Sequence, residues 1–400
     1  TGLTTVGAGG TASAVAGIPF YSLSNSIYTH DVSGTDDTAT YNTAYGLNAL
    51  DAITTGDGNT VMGYQAATSL TTGQRSVIIG YQAGDEMTSG GDSVIVGYGA
   101  GHSQTTSLEN TFVGYYAGGE VTTGAYNVFV GSSAGQSATT PSDNTGVGSR
   151  VMEATTTGSD NTALGKSAMA ANTTGSRNLA IGVQAYDASD TENDNIAIGY
   201  DAMTTNTAGG QYNIAIGNYA ADALTSGDSN VAIGHNVASN LSSGSGNVAM
   251  GHDALLATTT QSNNTAVGYQ ALRANTAADN TAFGKDALVL NTTGDYNVAV
   301  GRSALAANTT GASNLAIGTN TLTANTTGTR NIAIGNEAYD SSDTENDNIA
   351  IGYQAMTADT AGGTENTAIG NYSMDTLTSG DQNTAVGMNA LGAITTGSSN

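Results

Sequence analysis

Residues 161–177 read NTALGKSAMAANTTGSR, residues 178–194 read NLAIGVQAYDASDTEND, and Asn195 opens a third copy. The pattern Asn-x-small-aliphatic-Gly that begins each copy runs outward in both directions. It starts at Asn42 (NTAYG) and recurs at Asn59, Ser76, Ser93, Asn110, Asn127 and Asn144. Past Asn195 it returns at Asn213, Asn230, Asn247, Asn264, Asn280, Asn297, Asn314, Asn331, Asn348, Asn366 and Asn383. These are 21 units, spaced 17 residues apart except for two steps of 18 and one of 16. A fixed period of this kind marks a repeat architecture. A degenerate copy, Asn25-Ser-Ile-Tyr-Thr29, lies one step before Asn42. YDASDTENDNIAIGY from Tyr186 also returns as YDSSDTENDNIAIGY from Tyr339, an offset of 153, or nine times 17.

Seventeen residues are too few for two helices and a turn. The β-branched stretch of each unit suits a strand. The Gly that follows it, and the Gly of the Thr-Thr-Gly turn ten residues later, suit a sharp bend or a positive φ. One strand, a bend, a shorter strand around the Ala-Leu pair and a Thr-Thr-Gly turn make one coil. Stacked coils pair in parallel, and each relies on its neighbours to bury its apolar side. The predicted fold is all-β: a parallel β-solenoid, or β-roll, of about 21 seventeen-residue coils. It spans 42–400. Residues 1–41 form an N-terminal cap or joining segment that includes the degenerate coil.

The units act as a mutation series inside one chain. With the leading Asn as position one, position four is always large and apolar, as at Tyr45, Ile79, Phe283 and Ile351. Position three is usually Ala and position nine then large, as in Ala163 with Met169 and Ala266 with Leu272. Five consecutive coils reverse this. Val61, Ile78, Ile95, Phe112 and Phe129 take position three, and Ala67, Gly84, Gly101, Gly118 and Gly135 take position nine. Large against small is what close packing demands of two positions sharing one space, so three and nine are predicted to face each other inside the coil. Positions two and four then point outward. They too are apolar, so the strand is expected to be covered on both faces. The economical cover is another copy of this chain, giving a parallel homo-oligomer, expected to be a trimer.

Composition narrows the function. The net charge is −25, which disfavours a nucleic-acid partner. No apolar run approaches the length of a membrane span, and the apolar stretch 14–23 lacks a preceding basic region and holds Pro19, unlike a signal peptide. The absence of Cys leaves no disulfides. The chain starts without Met and stops in mid-pattern, so it reads as part of something longer. No catalytic constellation interrupts the repeat, and the chain is expected not to be an enzyme.

The string N-x-A-[IV]-G-x-x-A, repeated from Asn42 to Asn400, resembles the head repeats of trimeric autotransporter adhesins. It is similar also to the NTAVGYQAL…NTTG repeats of phage tail-fibre and related surface-fibre proteins. The resemblance covers most of the chain, although the coil here is longer than the adhesin one. It implies a trimeric parallel β-roll or solenoid at a cell surface or on a virion. The expected role is an extracellular fibre shaft that spaces or presents a binding tip. The alternative is a module whose side binds carbohydrate or another surface.

Several residues are candidates for contact chemistry. Tyr64, Tyr81, Tyr98 and Tyr115 hold position six on four successive coils. Such a stripe stacks on sugar rings of cell-surface glycans, or else braces the rod. Two acidic turns, Asp187-Asp190-Glu192-Asp194 and Asp340-Asp343-Glu345-Asp347, gather carboxylates of the kind Ca²⁺ uses, or form solvated loops. No other cofactor is expected. His235 and His252 share a position on adjacent coils, as a metal pair or as exposed neighbours. The leading Asn file reads as an amide ladder. Thr pairs such as Thr54-Thr55, Thr173-Thr174, Thr292-Thr293 and Thr309-Thr310 read as a second ladder or an ordered-water face. Asn172, Asn291, Asn308 and Asn325 each open an Asn-Thr-Thr sequon.

Overall fold

The computed structural model describes residues 13–15, 18–23, 25–29, 38–205, 209–358 and 362–400. It divides into two compact units, Thr1–Asn195 and Ile196–Asn400. Among the described residues there is no helix. Each unit is a parallel β-solenoid, and together they carry about 20 coils.

In the first unit β1 (Ser13–Val15) pairs antiparallel with β2 (Ile18–Leu23), and β2 pairs antiparallel with β3 (Ser26–Tyr28). From β3 onward every pairing is parallel, as at Thr43↔Thr60, Ala44↔Val61 and Tyr45↔Met62. The ladder runs from β4 (Thr43–Tyr45) to β12 (Leu179–Ile181). In the second unit it runs from β13 (Ile196–Ile198) to β24 (Thr384–Val386). Each coil contributes one three-residue strand, positions two to four. The 18- and 16-residue coils keep this register: Ala197 sits opposite Ala215, and Ala266 opposite Ala282. Their length changes are absorbed outside the strand. In the short coil the turn carbonyl that Asn264 Nδ2 reaches is that of Ala277, one residue earlier than usual.

The degenerate first coil is shifted by one residue from the expected alignment. Ile27 pairs with Thr43 and Tyr28 with Ala44, so Ser26, not Asn25, holds position one. The Asn42 N–H donates to Ser26 Oγ at 2.8 Å. A one-residue slip exchanges the two faces of a strand. Tyr28 is accordingly buried and Ile27 half exposed. The side chains of 14–23, the basis of the expected cap, lie outside the described residues.

Inside each coil, position three is buried throughout, and positions eight and nine are buried in all but the last coil of the second unit. The expected opposition of three and nine is present. A Cβ on Gly118 would lie 2.7 Å from the Phe112 ring, and one on Gly135 2.5 Å from the Phe129 ring. The Phe112 and Phe129 rings stack at 5.7 Å. Below them Gly146, at position three, makes room for Phe129 and Met152 together.

Among the described residues, the expected second strand around the Ala-Leu pair is absent. Positions seven and nine are left-handed instead, as at Asn48 (φ 57°) and Leu50 (φ 59°). The N–H groups of these two left-handed positions bond along the solenoid axis in opposite senses, while the position-eight N–H between them bonds within its own coil, as where Ala49 N–H donates to Gly46 O at 3.3 Å. Gln65 N–H donates back to Leu47 O at 3.0 Å, and Leu50 N–H donates forward to Ala66 O at 3.0 Å. The turn bonds to both neighbouring coils without being extended, which offsets the steric cost of left-handed non-glycine residues. The two glycines also divide their roles. Gly97 has φ 149° and closes the strand. Gly73, in a Thr-Thr-Gly turn, is not left-handed. Its missing Cβ would lie 2.0 Å from Gly90 O, so close stacking requires it.

Candidate functional site

Polar groups inside the coil serve the fold first. In the expected Asn ladder, the Asn59 N–H donates to Asn42 Oδ1 at 2.8 Å, and Asn59 Nδ2 donates to Gly73 O at 2.9 Å. Each buried side chain thus satisfies a turn carbonyl of its own coil and a backbone N–H of the next. Where Ser93 replaces Asn, Gln104 Nε2 supplies the missing donor to Ser107 O at 3.3 Å. The sequon asparagines form a second interior ladder at position twelve. Asn308 Nδ2 donates to Asn291 Oδ1 at 2.7 Å, and Asn325 Nδ2 to Asn308 Oδ1 at 2.9 Å. Asn172, Asn291, Asn308 and Asn325 are all fully buried, so the folded chain offers none of them to a glycosylating enzyme.

The first Thr of each pair bridges coils, as where Thr54 Oγ1 donates to Thr71 O at 3.1 Å and Thr309 Oγ1 to Thr326 O at 3.0 Å. Only the second Thr (Thr55, Thr174, Thr293, Thr310) is exposed, leaving a single file rather than a two-rank face.

The acidic turns do not converge on a common point. Asp187, Asp190, Glu192 and Asp194 occupy positions ten, thirteen, fifteen and seventeen of one coil, and Asp340, Asp343, Glu345 and Asp347 repeat this arrangement. The Glu192 carboxylate is buried and accepts from the N–H groups of Asp190 (2.8 Å) and Thr191 (3.0 Å). Glu345 does the same for Asp343 and Thr344, and also accepts from Gly362 N–H at 3.0 Å. Asp194 is held by Arg177 through two hydrogen bonds, and Asp347 by Arg330. The guanidinium beside each holds these two carboxyls below their usual range. Thr173 Oγ1 donates to Asp190, and Thr326 Oγ1 to Asp343. Among the described residues no group of three or more His, Asp or Glu is placed to hold a metal ion.

Burial raises the carboxyl of Asp222, whose Oδ1 is enclosed without a hydrogen-bond partner; Asp201 nearby adds to the shift. A raised folded-state value means that the folded chain binds this proton more tightly than the unfolded one. The stabilising contribution is present at low pH and is lost as pH rises through the folded value. Asp222→Asn is therefore expected to melt higher than the parent at neutral pH, with the gap closing on acidification. Thermal melts across that range check it, and a lower-melting variant at neutral pH would contradict it.

The outer face is the remaining candidate. Positions two and four point away from the interior, as expected, and form an apolar file along each unit. Leu164 is 48% and Phe283 50% exposed. Beside this file, Tyr64, Tyr81, Tyr98 and Tyr115 stack face to face, with centroids 5.3, 4.9 and 5.5 Å apart and planes within 22°. Rings stacked along the axis turn their edges and hydroxyls outward. Both flat faces of Tyr81 and Tyr98, which a sugar would use, are taken by neighbouring rings.

A second stack in the other unit escapes a reading that counts tyrosines only. His235 and His252 stack at 5.2 Å, His252 and Tyr269 at 5.5 Å, and Lys285 Nζ lies 5.8 Å from the Tyr269 centroid. All hold position six. Treating imidazole as another flat ring would have found them. The His pair is thus a ring contact, with His252 Nδ1 3.2 Å from Asp253 Oδ2.

These features define the chain as a parallel β-solenoid repeat protein with an apolar, partly aromatic outer strand face. No protein-family model, curated protein or solved structure matches it.

Proposed function

We propose that the chain is a structural fibre shaft of the extracellular, cell-surface or virion kind, in which parallel copies cover one another's outer strand faces and space or present a binding tip. The observation that carries this reading is the outward file of large apolar side chains at position four, flanked by Thr, Val, Ile or Leu at position two and repeated coil after coil. Contiguous exposed apolar surface of this kind marks an interaction site. A second copy of the same chain has the same period, so apolar rows meet apolar rows along each unit. Three copies around an axis, as in the adhesin and tail-fibre repeats it resembles, is the assembly proposed. The buried Asn side chains are occupied in ladders, which fits a structural protein rather than an enzyme.

Leu164→Asp tests the assembly. Its side chain faces outward, so the coil should still fold while the contact is lost. Light scattering should find an oligomer for the parent and a monomer for the variant, with unchanged far-ultraviolet circular dichroism. A monomeric parent would sink the proposal. The second reading, a lateral carbohydrate-binding face, is favoured by the exposure of Tyr64 to Tyr115 but weakened by their occupied ring faces. Binding on a glycan array that is lost on replacing these tyrosines would favour it over the shaft.

A further inference from the structure

We propose that the tyrosine stack of the first unit is a site of oxidative tyrosine–tyrosine cross-linking, which staples adjacent coils covalently. Coupling two phenols requires two rings held side by side and open to an oxidant. Tyr81 and Tyr98 meet both conditions: their centroids are 4.9 Å apart, their planes differ by 6°, and they are 41% and 45% exposed. The coils beneath hold them in register. Gly97 N–H donates to Ile79 O at 2.8 Å, and Gly114 N–H to Val96 O at 2.8 Å. Tyr116 adds a further ring, edge-on to Tyr115 at 4.8 Å and tilted against Tyr98 at 5.6 Å. Five rings are thus in continuous contact, so an electron lost from one can be drawn from the next. The chain has no Cys, and this stack offers the covalent staple between coils that disulfides cannot.

The co-reactant is a peroxide acting through a haem peroxidase. Each of two neighbouring phenols gives up one electron and its hydroxyl proton. The two phenoxyl radicals join ortho carbon to ortho carbon, and the two ortho hydrogens move to the oxygens, restoring both hydroxyls. Two electrons and two protons leave in all, and hydrogen peroxide takes them up to become two waters.

The test treats the full chain, in dilute solution, with peroxidase and hydrogen peroxide. Dityrosine fluorescence is followed, and cross-linked peptides are mapped by mass spectrometry. The expected product is a chain lighter by pairs of hydrogen atoms, linked within itself between neighbours of the stack. Tyr98→Phe keeps a ring in place but removes the central phenol, and should lower the intrachain yield several-fold. Tyr126→Phe, an exposed tyrosine outside the stack, should leave it unchanged. Circular dichroism confirms that both variants fold. Links found only between chains, links centred on Tyr126, or an undiminished yield in Tyr98→Phe would each overturn the proposal. None of these results depends on whether the chain is a fibre shaft.

Discussion

Phe129→Ala is expected to destabilise the first unit by about 3–5 kcal/mol, the usual range for emptying a large aromatic site in a core. Phe129 is fully buried, lies against Gly135 across the coil and stacks on Phe112. Gly135→Leu alone should also destabilise, by about 1–3 kcal/mol through overpacking, because its new side chain would enter the space of the Phe129 ring. Made together, the two changes rebuild the Ala-three, Leu-nine arrangement that seven of the 21 coils already use, Ala266 with Leu272 among them. The backbone permits it: Gly135 has φ 56° and Leu50, at the same position, has φ 59°. The double variant should therefore recover much of the loss, with a coupling of at least about 1 kcal/mol. Recovery will not be complete, since Phe112 loses its stacking partner. Denaturant unfolding of the four proteins measures the coupling. Simple addition of the two single effects would refute the opposition of positions three and nine.

Gly97→Ala should be at least as damaging, at more than about 4 kcal/mol, a range reserved for changes with a distinct structural cause. Two causes coincide. The residue has φ 149°, which side chains rarely adopt, and its Cβ would lie 2.0 Å from Gly114 O and 2.6 Å from Gly114 C. Those are backbone atoms of the next coil and cannot swing aside. Gly209→Ala separates the two causes. It has φ 99° with nothing within 4 Å of its Cβ, so only the conformational penalty of about 1–3 kcal/mol applies. In a repeat protein the damage should spread to neighbouring coils first. Amide hydrogen exchange should show lost protection around residue 97 in the first variant. Equal effects in the two would mean that stacking distance does not govern this position.

The fold was largely legible in the chain. The 17-residue period gave the coil, and the exchange of bulk between Ala163 with Met169 and Phe129 with Gly135 gave its interior. Both signals survive because neighbouring coils repeat the same packing problem and answer it differently. What was missed turns on backbone conformation. Leu50 and Asn48 look no different from strand residues, since left-handed φ leaves no mark on a Leu. The first coil was misplaced by one residue because Asn25 resembles a ladder residue, while Ser26 makes the hydrogen bond.

The candidate site was legible only as a set of residue types. A run of tyrosines at position six is plain, but whether they present faces or edges depends on the rise from coil to coil, which sets ring against ring. Glu192 counts as one of four acids until the turn folds and points it at its own backbone N–H groups. Asn308 is a sequon in the chain and an interior donor in the coil. Periodicity and residue volume alone thus establish the solenoid, its repeat and which side chains share its interior, because packing between equivalent positions is written into every unit. The direction of each polar group and the exposure of each ring emerge only once coils are stacked, because hydrogen-bond partners and ring neighbours lie 17 residues away.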